Sequence, residues 1–246
     1  MLYDKRKRRR RHVRLIRLQG LFMVLLLLVC IPSDYFLFQH VYLPDYKLLR
    51  HFVDSAAHGN VAFCCWAIFL LQAEKNAKAR DTSFSVLEML KKCFLNGITA
   101  SVLDADHFIV AGTLNLTGAT HLTHRPFGHA VTFIIVVAFL ISWCSKKCPT
   151  KTRSYRVCFI VVAWFSHQLR DGMRRGLWFW PIGSTPPITY FLYLLMEEGL
   201  PFVMEKWWRQ VLARTEMEKV ELALEKETNE KMIYESNEEE GLRLIV

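Results

Sequence analysis

A chain of 246 residues, 52% hydrophobic and 22% charged, is long enough to bury a sizeable core, so hydrophobicity alone does not decide its class. The distribution does: charge gathers at the two ends and in short loops, and the middle holds several apolar stretches of near-membrane length, which points away from an ordinary soluble domain. The net charge of +9 comes mostly from one run, KRKRRRRH at 5–12, and a basic run directly before an apolar stretch is a topology signal rather than a nucleic-acid site; no nucleic-acid partner is expected.

The first apolar stretch, 15–36, contains LFMVLLLLVCI from Leu21 and closes at Pro32-Ser33-Asp34. No small-x-small site follows, so it reads as a retained span, not a cleaved signal peptide. A second span is expected over 53–71 and a third over 93–112, after an amphipathic lead-in at 83–92. The fourth, fifth and sixth are expected over 130–144, 157–169 and 188–204. The predicted fold class is therefore all-α: a polytopic membrane helical bundle of about six transmembrane helices over 15–204. A basic cytosolic N-terminus (1–14) precedes it and a charged cytosolic helix (205–246) follows.

Alternating the connections puts Lys75, Lys78, Arg80, Lys91, Lys92, Lys146, Lys147, Lys151, Arg153 and Arg156 on the cytosolic side with the basic N-terminus. Arg170, Arg174 and Arg175 go against that bias. The tail is rich in Glu and Lys three and four apart, which suits a solvated helix and leaves room for a cytosolic partner. Its end, Leu244-Ile245-Val246, has the form of a carboxylate-presenting peptide ligand. Seven cysteines form no CxxC pair and no disulfide framework; Cys144 and Cys148, in CSKKC, are juxtamembrane acylation candidates.

Ionisable residues stand at the ends of these spans. Asp54 and His58 are four apart at the start of the second. Asp104, Asp106 and His107 lie near the end of the third. His124, Arg125 and His129 precede the fourth, and His167 and Asp171 are four apart at the end of the fifth. The topology drawn from Lys and Arg alone puts all of them on the outer side. Residues i and i+3 or i+4 share a helix face, so Asp54/His58, Asp104/His107 and His167/Asp171 are paired presentations, while Asp106 turns away from its neighbours. A lone Asp at a bilayer centre costs about 2.5–3.5 kcal/mol on insertion scales. Several such groups therefore call for a shared cation or mutual hydrogen bonds. Imidazole and carboxylate together suit Zn or Mn, and the expected ligands are His58, Asp104, His107, His124, His129 and His167. Each residue taken singly has a structural alternative: Asp104 in a salt bridge with Arg125 or Arg170, or His58 hydrogen-bonded to a neighbouring helix.

The segment RRGLWFWPIGSTPP at 174–187 combines indole rings with bend-permitting glycines, as a re-entrant or surface-lying loop over the site would. Arg170, Arg174 and Arg175 would then be anion clamps or headgroup contacts.

LDADH at 103–107, HRPFGH at 124–129 and SHQLRDGMRRGLWFWP at 166–181, with His58 upstream, resemble the YdjM-like bacterial inner-membrane proteins described as membrane-bound metal-dependent hydrolases, and more closely the animal transmembrane protein 267 family. The resemblance covers roughly 50–190. It implies that Asp104, Asp106, His107, His124, His129, His167 and Asp171 occupy the metal positions. The chain departs from the pattern at Pro126, Gly128 and Ala130, where possible hydrogen-bond donors are lost.

The enzyme reading that follows is a metal-dependent hydrolase at the outer or lumenal interface of the lipid bilayer. Asp106 or Asp171 would be the general base, Arg125 would hold the developing anion, and the substrate would be a membrane-associated molecule such as a lipid. No GxSxG, Walker loop or HExxH is present, so covalent serine chemistry and nucleotide use have no support. Two other readings stay open. One is an inactive scaffold whose tail recruits partners. The other is an ion or proton path, which would want acidic groups at several depths instead of one.

Overall fold

The computed structural model describes residues 2–39, 47–77, 85–120, 122 and 124–243. His40, Lys78, Arg80, His121 and the tripeptide 244–246 lie outside the described residues.

Among the described residues, eight α-helices make up nearly all of the fold. They are α1 (Leu2–Gln39), α2 (Lys47–Asn76), α3 (Val86–Val102), α4 (Asp106–Ala111), α5 (Leu116–Thr120), α6 (Val131–Cys144), α7 (Thr150–Arg175) and α8 (Tyr190–Arg243). Two two-residue strands, β1 (Trp178–Phe179) and β2 (Gly183–Ser184), pair antiparallel between α7 and α8. The all-α class is as expected. Arg9–Phe38 and Leu48–Asn76 are long and apolar enough to cross a membrane. α6 is a shorter apolar helix.

The structure redraws several boundaries. Helix α1 begins at Leu2 and takes in the whole basic run, because an Arg-rich segment without Gly or Pro is a good helix former. The expected lead-in and third span start together at Val86, where the Ser85 hydroxyl accepts from the Glu88 N–H. That helix ends at Val102, and the chain passes through one 3-10 turn, Leu103–Ala105, into α4. The tail is not a separate element, because α8 runs unbroken from Tyr190 to Arg243 with Pro201 inside it. Within the segment 174–187, Trp178–Phe179 and Gly183–Ser184 pair as the β1–β2 hairpin.

Helix α2 is the centre of the bundle and packs against α1, α3, α7 and α8. Its Trp66 stacks on Phe69 at 4.4 Å and meets Tyr155 and Phe159 of α7 edge-on at 5.3 Å. Small residues bring α2 and α3 close together. A Cβ added at Gly97 would lie 2.6 Å from the Gly59 carbonyl oxygen. One turn away the two serines bond reciprocally, Ser101 Oγ to Ser55 O at 2.8 Å and Ser55 Oγ to Ser101 O at 3.2 Å. Asn96 Nδ2 of α3 donates to Phe159 O of α7 at 2.8 Å. These contacts hold the ends of α2, α3 and α7 together, where His58, Asp104 and His167 stand. The outside of the bundle is apolar: Leu28, Phe94, Phe139, Phe191 and Val203 are all exposed. Lipid chains are the solvent that suits such a face.

Candidate metal centre

The site is built from four pieces of backbone at one end of the bundle. His58 comes from α2, Asp104 from the 3-10 turn after α3, His129 from a 3-10 turn (Phe127–His129) before α6, and His167 and Asp171 from α7. Three overlapping sets of side chains offer ligand atoms within 4.8 Å of one another: His58/Asp104/His167, Asp104/His107/His129 and His129/His167/Asp171. Asp104, His129 and His167 each belong to two sets.

The closest group surrounds His129 Nε2. His167 Nε2 lies 3.3 Å from it, Asp104 Oδ1 3.5 Å and Asp171 Oδ2 3.6 Å; Asp104 Oδ1 is also 3.5 Å from His167 Nε2. Ligands at about 2.0–2.2 Å from a tetrahedral ion stand roughly 3.3–3.6 Å apart, so the spacing fits such an ion.

Hydrogen bonds decide which nitrogens are free. His167 Nδ1 faces the Ala100 carbonyl at 3.0 Å. A carbonyl only accepts, so the proton sits on Nδ1 and Nε2 presents a lone pair. His129 Nδ1 faces Asp106 Oδ2 at 3.1 Å, and the same logic leaves its Nε2 as the inward atom. A carboxylate behind an imidazole is the usual support for a metal-binding histidine. Two imidazole nitrogens 3.3 Å apart, both bonded away on the far side, need a cation or a proton between them. Burial opposes a charge on His129, but hydrogen bonds to Asp104 and Asp106 and the nearby Asp171 carboxylate outweigh it and raise its pKa to about 10. The site attracts positive charge, and the donor set fits a divalent ion.

His58 is buried and stacks on His167 with ring centres 3.7 Å apart. Neither of its ring nitrogens has a hydrogen-bond partner among the described residues. Its Nε2 is 3.7 Å from both Asp54 Oδ1 and Asp171 Oδ1, beyond hydrogen-bond reach. An imidazole buried with both nitrogens unsatisfied is costly, and ligation would satisfy one of them.

A chain of alternating charges backs the cluster. Arg174 Nη2 holds Asp171 Oδ1 at 2.7 Å, and Arg174 grips both oxygens of Asp54 at 3.0 and 3.2 Å. Arg170 bonds Asp54 Oδ1 at 2.5 Å and Asp34 Oδ1 at 2.9 Å. Arg170 and Arg174 therefore pair with Asp34, Asp54 and Asp171 where anion clamps or headgroup contacts were expected; Arg175 is exposed. Asp54 was marked by its i, i+4 spacing from His58, but its bonds to Arg170 and Arg174, and that of Asp34 to Arg170, could not be read from the sequence. On α7, His167, Arg170, Asp171 and Arg174 follow one another at i, i+3, i+4 and i+7 on a single face.

The remaining predicted residues are placed as follows. Asp106 sits behind the cluster, bonded to His129, with His107 Nδ1 3.0 Å from its other oxygen. His107 belongs to one of the three sets. His124 is exposed and belongs to none of them. Arg125 donates to the Gly176 carbonyl at 3.1 Å, and burial lowers its pKa from the usual value. Gly176 has a φ of +73°, and a Cβ there would collide with the Thr185 carbonyl, so this turn into the hairpin requires glycine. The loop carrying His129 is clamped by Trp164 Nε1 and Gln168 Nε2, which donate to the Gly128 carbonyl at 2.5 and 2.9 Å.

These residues lie within a stretch that matches a known protein family. The family model described as "YdjM inner membrane protein" matches residues 53–224. The chain belongs to the YdjM inner membrane protein family. Among curated proteins, "Transmembrane protein 267" of Xenopus laevis is 32% identical over 67% of this chain and 72% of its own length. The Danio rerio protein of that name is 31% identical over 70% of this chain and 72% of its own length. No solved structure matches the chain. The YdjM match and the apolar helices give the chain a membrane location, and every residue of the three ligand sets falls inside the matched stretch.

Proposed function

We propose that this YdjM-family chain is a multi-pass membrane protein holding a divalent metal, Zn or Mn, at its outer or lumenal end, and that it hydrolyses a membrane-associated ester or phosphoester. The observation that carries this reading is the pair of inward-facing nitrogens, His129 Nε2 and His167 Nε2, 3.3 Å apart with Asp104 and Asp171 oxygens beside them.

Asp104, His129, His167 and Asp171 would hold the ion, with His58 and His107 as further ligands. The chemistry a divalent ion supplies in such a site is polarisation of an ester or phosphoryl oxygen and acidification of water. The protein's own contribution is positional. Asp106 keeps His129 turned inward through Nδ1, and the Ala100 carbonyl does the same for His167. Arg174 fixes one oxygen of Asp171 and leaves the other toward His129. Asp106 Oδ1 stands 3.0 Å from His107 Nδ1, and in this reading Asp106 is the general base, with His107 to pass the proton on. Arg125, on the loop at the site's edge, would meet the developing anion. Phe127 packs on Trp178 and Trp180 of the hairpin, and the exposure of Phe127, Trp180 and Ile182 favours a lipid-like substrate.

The test is the metal content and hydrolytic activity of the purified protein against Asp104→Asn and His167→Ala variants. Near-stoichiometric Zn or Mn, lost in both variants together with phosphoesterase or esterase turnover, is the expected result. Undetectable metal in the wild type after growth in Zn- and Mn-supplemented medium would return the chain to the inactive-scaffold reading.

A further inference from the structure

Away from the metal centre, the bundle interior holds an acid without a counterion. Glu197 of α8 is fully buried. Its Oε1 has no hydrogen-bond partner among the described residues, and its Oε2 has the Cys65 thiol at 3.7 Å.

The backbone adds a second open acceptor at the same residue. Pro201 stands four positions further along α8 and has no N–H to give to the Glu197 carbonyl. The Cys65 thiol faces that carbonyl as well, at 3.6 Å. One side chain of α2 therefore serves both oxygens of one α8 residue. In an apolar bundle, a freed carbonyl beside a buried carboxyl is a place where a proton or cation binds.

The surrounding groups decide between the two. Cys30 and Asp34 face this locus from α1, Cys64 and Cys65 from α2, Arg170 from α7, and Tyr193 and Glu198 from α8 itself. The Tyr193 hydroxyl and the Cys30 thiol are engaged with each other at 3.1 Å. Arg170 is the cation whose field reaches Glu197, and Asp34 and Asp54 already hold it. Among the described residues, no set of three metal-ligating atoms converges here as it does at the His/Asp cluster. The ligand left for this carboxyl is a proton.

We propose that Glu197 is a proton-binding site inside the bundle, separate from the metal centre, where the carboxyl takes up and releases one proton beside the carbonyl that Pro201 frees. On release, the carboxylate competes with Asp34 and Asp54 for the Arg170 guanidinium. That competition links the proton site to the ion-pair chain ending at Asp171. The inference goes beyond the hydrolase reading and stands without it.

The test uses the full chain in detergent micelles. A hydrophobic carbodiimide attacks protonated carboxyls in apolar surroundings, and mass spectrometry locates the adduct. Labelling of Glu197 that declines as pH is raised, and its absence in Glu197→Gln, is the expected result. Infrared spectra should show a carboxylic-acid C=O band that shifts in D2O, disappears in Glu197→Gln and persists in Glu205→Gln, whose carboxyl is paired with Asn76 and Arg209. An unlabelled Glu197 at every pH, or superimposable spectra of wild type and Glu197→Gln, would overturn the proposal. Should Glu197→Gln fail to fold, the pH-dependent labelling of the wild type decides alone.

Discussion

Asp106 and Gly128 share one space. A Cβ on Gly128 would overlap Asp106 Oδ2, the oxygen that accepts from His129 Nδ1. The glycine at 128 is thus what lets the carboxylate reach the imidazole. Gly128→Ala should push Asp106 off His129 without touching any proposed ligand, and Asp106→Asn should weaken the same support. Losing such a partner costs about 10–100-fold in metal affinity. Titration against a competing chelator should show that fall in both variants.

Metal uptake should release a proton. His129, raised to about 10, is charged in the free protein at neutral pH, and a bound ion would displace that proton. The free state therefore binds more protons than the loaded state, so affinity rises with pH up to about 10. The expected slope is about one decade in affinity per pH unit. Isothermal titration in buffers of different ionisation heat would count the released protons, and a count near zero would contradict the assignment of His129.

The ion-pair chain makes Arg170 a sensitive position. It is 1% exposed and neutralises Asp34 and Asp54 together. Arg170→Met leaves the buried Asp34 carboxylate without its arginine and the half-buried Asp54 with Arg174 alone, a loss of about 3–5 kcal/mol for the broken buried pair. Arg170→Lys should recover only part of this, because one ammonium cannot reproduce the fork that meets two separate acids. Thermal melts in detergent would rank wild type first, then the lysine variant, then methionine.

The α2–α3 contact tolerates no added side chain. Gly97→Val would drive into the Gly59 backbone, and overpacking of that kind costs about 1–3 kcal/mol. Because Ala100 and Asp104 follow on the same stretch of chain, the variant should lose metal as well as stability. Gly20→Val, at a glycine with open space around it, is the control and should lose neither.

The six-span reading can be tested directly. Cys144 is exposed at the end of α6, and Asn115 is exposed in the Asn-Leu-Thr sequon on the α4–α5 side. An impermeant maleimide applied to intact cells should leave Cys144 unlabelled and should label Asn115→Cys. Labelling of both from one side would contradict alternating spans.

Much of this architecture was legible in hydropathy. The apolar runs expected over 15–36, 53–71 and 157–169 each fall within a single helix, because long apolar runs without internal turn signals have few other ways to satisfy their backbone. The third run was misread as one helix. Its ionisable step, LDADH, tightens into a 3-10 turn that brings Asp104 toward His129 and His167. A period count cannot foresee that, because contact with other elements stabilises it. Likewise, nothing local distinguishes an arginine facing lipid headgroups from one facing buried acids. The answer for Arg170 lay in Asp34 and Asp54, on two other helices. Asp106 was expected to turn away from the Asp104/His107 pair, yet one of its oxygens lies 3.0 Å from His107 Nδ1. Its true partner, His129, lies 23 residues away and could come only from the fold.

The unbroken run of α8 has a mechanical consequence. From Glu205 to Arg243 it would extend about 58 Å at 1.5 Å per residue, a boom with Pro201 at its base. Any load on its far end acts on the same helix that carries Tyr193 and Glu197, so pulling or twisting the tail would converge on the turn where Pro201 leaves the Glu197 carbonyl unbonded.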